Sequence, residues 1–81
     1  MFYVYLLSSK KKNWRYIGAT EDLRDRLHKH NSGLITSTKF YAPLDLIYYE
    51  AYLTLDLARK REYELKNNSQ QKEILFNRLG L

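Results

Sequence analysis

The sequence predicts a small α+β domain in which a sheet is packed by helices, with elements in the order β-β-α-β-α-α. Three observations predict it. Two aromatic and β-branched runs near the start, FYVYLL and WRYIGA, flank a short polar loop and read as a hairpin. A third such run fills residues 44 to 52. Beyond it the spacing becomes helical, with capping residues at Thr54 and at Asn68 or Ser69. Each amphipathic element needs a partner for its apolar face, so a small mixed sheet covered by helices is the economical solution.

The elements follow in order. Phe2 to Leu7 is apolar throughout, the mark of a strand with both faces covered. Ser8 to Asn13 is a lysine-rich loop, and Trp14 to Ala19 is the returning strand, ending just past a glycine. A loop centred between residues 10 and 11 would set Tyr16 opposite Tyr5, with Gly18 two residues further on the same face as an open spot for close approach. Thr20 is the expected N-cap of a first helix. Glu21 and Asp22 put negative charge in its first turn, Leu23 and Leu27 form its apolar pair, and Asn31-Ser32-Gly33 ends it. Residues 34 to 43 lack periodicity and read as a long exposed loop. The third strand is Leu44 to Tyr52, the second helix runs from Thr54 to about Asn67, and the third spans Ser69 to Leu79 with Ile74, Leu75 and Leu79 inward.

Eighty-one residues make one domain, taken as 1–81, and the absence of cysteine excludes disulfide and thiolate-metal scaffolds. Hydrophobic residues at 44% are too many for intrinsic disorder. No run approaches the roughly 18 apolar residues needed to span a bilayer, and Lys10 to Lys12 follow the apolar stretch, the reverse of a secretory signal. The expected location is therefore the cytoplasm. Fourteen Lys and Arg against nine Asp and Glu give +5, and eight tyrosines accompany them. A basic, aromatic surface points to a polyanion partner.

Several side chains stand out chemically. Leu55, Ala58, Glu62 and Leu65 share one helical stripe, which sets the Glu62 carboxylate on an inward face. A buried carboxylate needs a cation, a metal or hydrogen-bond donors, whereas a sideways reach to Lys66 would make an ordinary surface pair. Arg26 and His30 lie on one side of the first helix and suit a phosphate, although Asp22 offers Arg26 a plain salt bridge. His28 and His30 fall on different faces and make no metal pair. Tyr3 and Tyr5 share a face of the first strand, where they could present phenols or simply pack the sheet.

Taken together, Tyr3-Val4-Tyr5, Tyr16-Ile17-Gly18, Arg26, His30 and Glu62, with the stretches LRDRLHKHNSG, LIYYEAY and ARKREYELK, follow one another in a known order. The chain resembles the GIY-YIG endonuclease superfamily over nearly its whole length, in particular its small stand-alone bacterial branch, and is distantly similar to the N-terminal nuclease domain found in excinuclease ABC. The resemblance implies a three-stranded antiparallel sheet flanked by helices. It also implies cleavage of DNA phosphodiesters with one divalent ion, Mg²⁺ or Mn²⁺, and no organic cofactor, in a setting such as DNA repair or recombination. By position it makes Tyr5, Tyr16, Arg26, His30 and Glu62 catalytic, with Glu62 the metal ligand and Tyr5 preferred over Tyr16 as the phenol at the nucleophile. The leading glycine of the first tripeptide is replaced by Tyr3, and the late asparagine that often completes such sites is left unassigned among Asn67, Asn68 and Asn77.

DNA contacts are expected from Lys10, Lys11, Lys12, Arg15, Arg24, Lys29, Lys39 and the Arg59-Lys60-Arg61 run, through phosphates rather than bases. Two other readings compete with a nuclease. One is a catalytically silent DNA-binding module of the same fold. The other is a protein-interaction domain using Tyr41, Tyr48, Tyr49 and Tyr52.

Overall fold

A computed structural model describes residues 1–81. Six elements follow the expected order: β1 (Phe2–Ser9), β2 (Arg15–Thr20), α1 (Leu23–Asn31), β3 (Leu44–Tyr52), α2 (Leu55–Asn67) and α3 (Ser69–Leu79). The sheet is antiparallel with order β2-β1-β3, so the first strand is the central one. That placement explains its composition. Val4 to Leu7 are all buried because the strand is covered on both faces.

Alternation along β1 divides the core in two. Val4 and Leu6, with Ile17 of β2, pack under Ala58 and Leu65 of α2 and Leu75 of α3. Tyr5 and Leu7 face the opposite way with Leu44, beneath Leu23 and Leu27 of α1 and the rings of Trp14, Tyr16 and Tyr41. Truncating a fully buried leucine such as Leu6 or Leu65 to alanine typically costs about 2 to 5 kcal/mol.

Five local expectations are corrected. The hairpin turn is centred one residue later than expected, so Tyr5 pairs with Gly18 and Tyr16 with Leu7. Ser9 sets that turn, its Oγ accepting from the backbone N–H groups of Lys11 and Lys12 while its own N–H donates to Trp14. Thr20 belongs to β2, opposite Tyr3, and α1 is capped instead by Asp22, whose carboxylate accepts from the N–H of Asp25. Asp22 is thereby occupied and forms no salt bridge with Arg26. Ile74 faces solvent, and Phe76 takes its place against the core.

Finally, the 34 to 43 loop is not wholly exposed, since Thr38 is completely buried and Tyr41 stacks on Trp14 at 3.8 Å between ring centroids. Its ends are stitched together by one side chain. The Asn31 amide donates to the Leu44 carbonyl and accepts from the Leu44 N–H, standing in for a strand residue beside β3.

The predicted caps of the later helices hold. Thr54 Oγ1 accepts from the Leu57 N–H, and Asn68 Oδ1 accepts from Gln70 and Gln71. Asn68 is thus committed to capping, and Asn67 donates to the carbonyl of Tyr63.

Candidate active site

The site lies on the α1 side of the sheet, where β1, β2, α1 and the loop after α1 meet. Tyr5 enters from the central strand and is 2% exposed. Its ring lies over Gly18, the one residue of β2 that leaves room for it. Its hydroxyl donates to His30 Nε2 at 2.8 Å, and it accepts a long 3.5 Å hydrogen bond from Arg26 Nε. His30 is completely buried on the last turn of α1, and its Nδ1 lies 2.6 Å from Thr38 Oγ1. Thr38 Oγ1 in turn has the Ile35 carbonyl as acceptor.

This order assigns the imidazole tautomer. With the Thr38 hydroxyl turned toward the Ile35 carbonyl, the matching tautomer has Nδ1–H donating to Thr38 Oγ1 and the Nε2 lone pair accepting from the Tyr5 hydroxyl. Burial, reinforced by the positive charge of Arg26, lowers the His30 pKa from 6.5 to about 4, so the ring is neutral near pH 7. Burial also pushes the Tyr5 phenol up; the hydrogen bond and charge of Arg26 oppose this, and the charges of Tyr16 and Glu62 add to it. Tyr5 is therefore a protonated hydrogen-bond relay rather than a poised phenolate.

Tyr16 is placed differently. Its ring packs 6.4 Å from that of Tyr5 and edge-on to His30 at 5.3 Å, yet it sits on an edge strand and is only half-buried. The Tyr5 oxygen is enclosed and shared between His30 and Arg26, whereas Tyr16 is half-buried at the sheet edge.

Glu62 comes from α2, which packs on the opposite face of the sheet, and its charge still acts on Tyr5. Its stripe position holds, since Ala58 and Leu65 beside it are buried. Both alternatives for its side chain are realised: the carboxylate is three-quarters buried and also accepts from Lys66 Nζ at 2.9 Å. Lys66 Nζ lies 5.4 Å from the centroid of the Tyr16 ring, which ties this end of α2 to the phenol side. No three His, Cys, Asp or Glu side chains converge anywhere in the protein. A lone carboxylate suits a hard, weakly held ion, because Mg²⁺ typically takes one or two carboxylates and fills its octahedron with waters and substrate phosphate.

The cations expected to meet DNA are not equivalent. Lys10 pairs with Asp45 and Lys29 with Asp25, both on the surface. Lys12 and Lys39 lie over the rings of Tyr41 and Phe40. Lys11, Arg24 and Arg59 are exposed and make no ion pair, and Arg59 lines a shallow hollow together with Glu62. Arg61 is not free for a ligand, because it bridges Glu50 of β3 and Glu64.

Sequence reasoning missed that bridge and two further residues, Thr38 and Asn31. Glu50 receives hydrogen bonds from Tyr48, Tyr52 and Arg61, so those two tyrosines serve the interior and only Tyr49 of the β3 group is well exposed. Burial pushes the Glu50 carboxyl up, but these three donors outweigh it and hold its pKa below the usual value. A glutamate flanked by tyrosines at i−2 and i+2 on one strand face was the readable signal. Thr38 and Asn31 left no such signal, since their roles depend on the path of the loop between them.

Comparisons with known proteins agree with this architecture. The sequence model of the GIY-YIG catalytic domain matches residues 1–74. A UPF0213 protein of Staphylococcus saprophyticus is 38% identical over 73 residues, 89% of this chain and 88% of its own length. A UPF0213 protein of Staphylococcus aureus is 42% identical over 60 residues, 73% of each chain. The solution NMR structure of a UPF0213 protein from Bacillus halodurans superposes with a TM-score of 0.54 at 30% identity, covering 93% of this chain and 83% of that one. With the catalytic-domain match spanning both tripeptides, Arg26, His30 and Glu62, the chain belongs to the GIY-YIG superfamily of nuclease domains, in the small branch it shares with the UPF0213 proteins.

Proposed function

We propose that this protein is a divalent-metal-dependent endonuclease that hydrolyses DNA phosphodiesters. The observation that carries the reading is the convergence of Arg26, Tyr5 and His30 on one buried hydrogen-bonded chain, packed against the half-buried Tyr16 ring, with Glu62 near enough for its charge to act on Tyr5. Such an arrangement joins a fixed cation, a group able to orient water, and a ligand for a hard metal ion within one small region.

Each residue has a physical task. Arg26 spends Nε on Tyr5 and makes no salt bridge, so its terminal nitrogens are free to neutralise charge that builds on the phosphoryl group. Tyr5 and His30 hold that guanidinium in place, and neutral His30 avoids setting a second positive charge against it. The Tyr16 hydroxyl accepts a hydrogen bond from the attacking water and orients it toward the phosphorus. Glu62 would hold one Mg²⁺ or Mn²⁺, which supplies Lewis-acid stabilisation of the phosphoryl and leaving 3′ oxygens. Lys66 occupies the carboxylate meanwhile, so metal affinity should depend on bound DNA drawing the lysine away. Phosphate contacts from the exposed cations make binding salt-sensitive and weakly sequence-dependent. The resemblance to the excinuclease domain supports DNA repair or recombination as the setting.

The test is cleavage of plasmid and branched DNA with Mg²⁺ or Mn²⁺ against EDTA, comparing wild type with Glu62→Gln. Metal-dependent cutting that disappears in the variant is the expected result. Silence from both proteins with DNA still bound would overturn the enzyme in favour of a DNA-binding module, a reading that the Glu62–Lys66 pair favours.

A further inference from the structure

Around the outer edge of β2 runs a cleft of about 440 Å³, between that strand and α3. Its walls include Trp14, Arg15, Tyr16, Lys66, Lys72 and Phe76, and no acidic side chain lines it. The volume lies within the range of roughly 300 to 1,000 Å³ common for small-ligand pockets. Two of its cations are uncommitted. Arg15 and Lys72 make no salt bridge, and Arg15 Nε is buried without any hydrogen-bond partner while its guanidinium lies 5.6 Å from the centroid of the Phe76 ring. A buried guanidinium N–H left unsatisfied costs free energy and normally signals an absent acceptor. The third cation, Lys66, is already shared with Glu62, and Tyr16 belongs both to this cleft and to the candidate active site.

From this geometry we infer that the cleft is a subsite for the nucleotide next to the scissile phosphodiester, its phosphate held by Arg15 and Lys72 and its base or sugar against the aromatic wall. The inference rests on the nuclease reading and extends it by giving the cleaved strand a path: from Arg26 past Tyr16, over the β2 edge, to α3. The cleft has the volume of a small-ligand site, room for one nucleotide. Flat aromatic surfaces beside a positive groove are the usual means of holding such a strand without reading its sequence.

Trp14, the single tryptophan of the chain, lines the cleft and reports on it directly. The experiment titrates the intact chain with hexathymidylate in EDTA, so that nothing is cut, while following Trp14 fluorescence. The expected result is saturable quenching, weakened roughly fivefold to tenfold by Lys72→Gln and by Arg15→Gln, with a salt slope shallower by about 0.7 for each phosphate no longer neutralised. Lys72 is partly exposed on α3, so its substitution leaves the fold intact even if Arg15→Gln does not. Absence of quenching overturns the subsite, as does quenching that both variants leave unchanged. Inorganic phosphate at matched ionic strength should not abolish the signal, and full displacement by it would reduce the cleft to a simple anion site and overturn the nucleotide assignment. The two readings fail separately. Quenching that depends on Lys72 in a protein that never cuts DNA removes the nuclease and keeps the cleft, whereas metal-dependent cutting without quenching does the reverse.

Discussion

The ring of Tyr5 lies so close over its strand partner Gly18 that a Cβ at position 18 would come within 2.3 Å of the phenol oxygen and 2.4 Å of Cζ. Gly18 is therefore a requirement of packing and not of backbone torsion. The ring cannot step aside cheaply, because its oxygen is held between His30 and Arg26. Gly18→Ala should destabilise the domain by about 1 to 3 kcal/mol, as overpacking usually does. Combining it with Tyr5→Leu should recover part of that loss, and a denaturant-unfolding double-mutant cycle that finds simple additivity would contradict the steric account.

The two phenols should separate under substitution. Tyr5→Phe leaves the buried His30 Nε2 without a donor, so it should cost about 1 to 3 kcal/mol of stability. Tyr16→Phe should leave stability within about 0.5 kcal/mol yet lower the cleavage rate roughly a hundredfold or more, with DNA affinity unchanged. Unfolding curves and single-turnover cleavage check both halves, and normal rates in the two variants would remove tyrosine from the mechanism.

His30 makes stability depend on pH. Its folded pKa of about 4 lies below the ordinary 6.5, so between those values the unfolded chain binds more protons and stability rises with pH. The contribution is complete above about pH 6.5 and is lost as pH falls toward 4. The slope should reach about 1 kcal/mol per pH unit within that window. Urea midpoints measured from pH 4 to 7 should show it in wild type and lose most of it in His30→Gln. Glu50, whose pKa is also lowered, acts in the same sense but only below the ordinary carboxylate range.

The Glu50–Arg61 bridge should matter to the fold and not to the chemistry. Arg61→Met leaves the largely buried Glu50 carboxylate with only its two tyrosine donors, at a cost of about 1 to 3 kcal/mol. Binding of a short oligonucleotide well below the unfolding temperature should be unchanged. A marked fall in affinity would return Arg61 to the set of DNA contacts.

What could be read from the chain beforehand was local. β3, α2 and α3 declared themselves through Thr54, Asn68 and the aromatic and β-branched run of 44 to 52, because capping and strand propensity act over a few residues. Tyr5, Tyr16, Arg26, His30 and Glu62 were legible as a set through their order along the chain. Contacts joining distant segments were not legible. The one-residue shift of the hairpin depended on the Ser9 hydroxyl, Thr38 reached His30 only because Asn31 stitches the loop to Leu44, and the Arg15 cleft exists only once α3 packs beside β2.

The position of β1 at the centre of the sheet also governs the order in which the chain can fold. Its hairpin with β2 closes over a short loop, but its other edge must wait for β3, where Phe2 pairs with Tyr52. During synthesis at about 5 to 20 residues per second, the most apolar segment of the protein stays half-paired for seconds. A chain stopped before residue 52 would expose that strand edge to any other chain nearby, so the early strand that organises the finished domain is also its chief liability while the domain is being made.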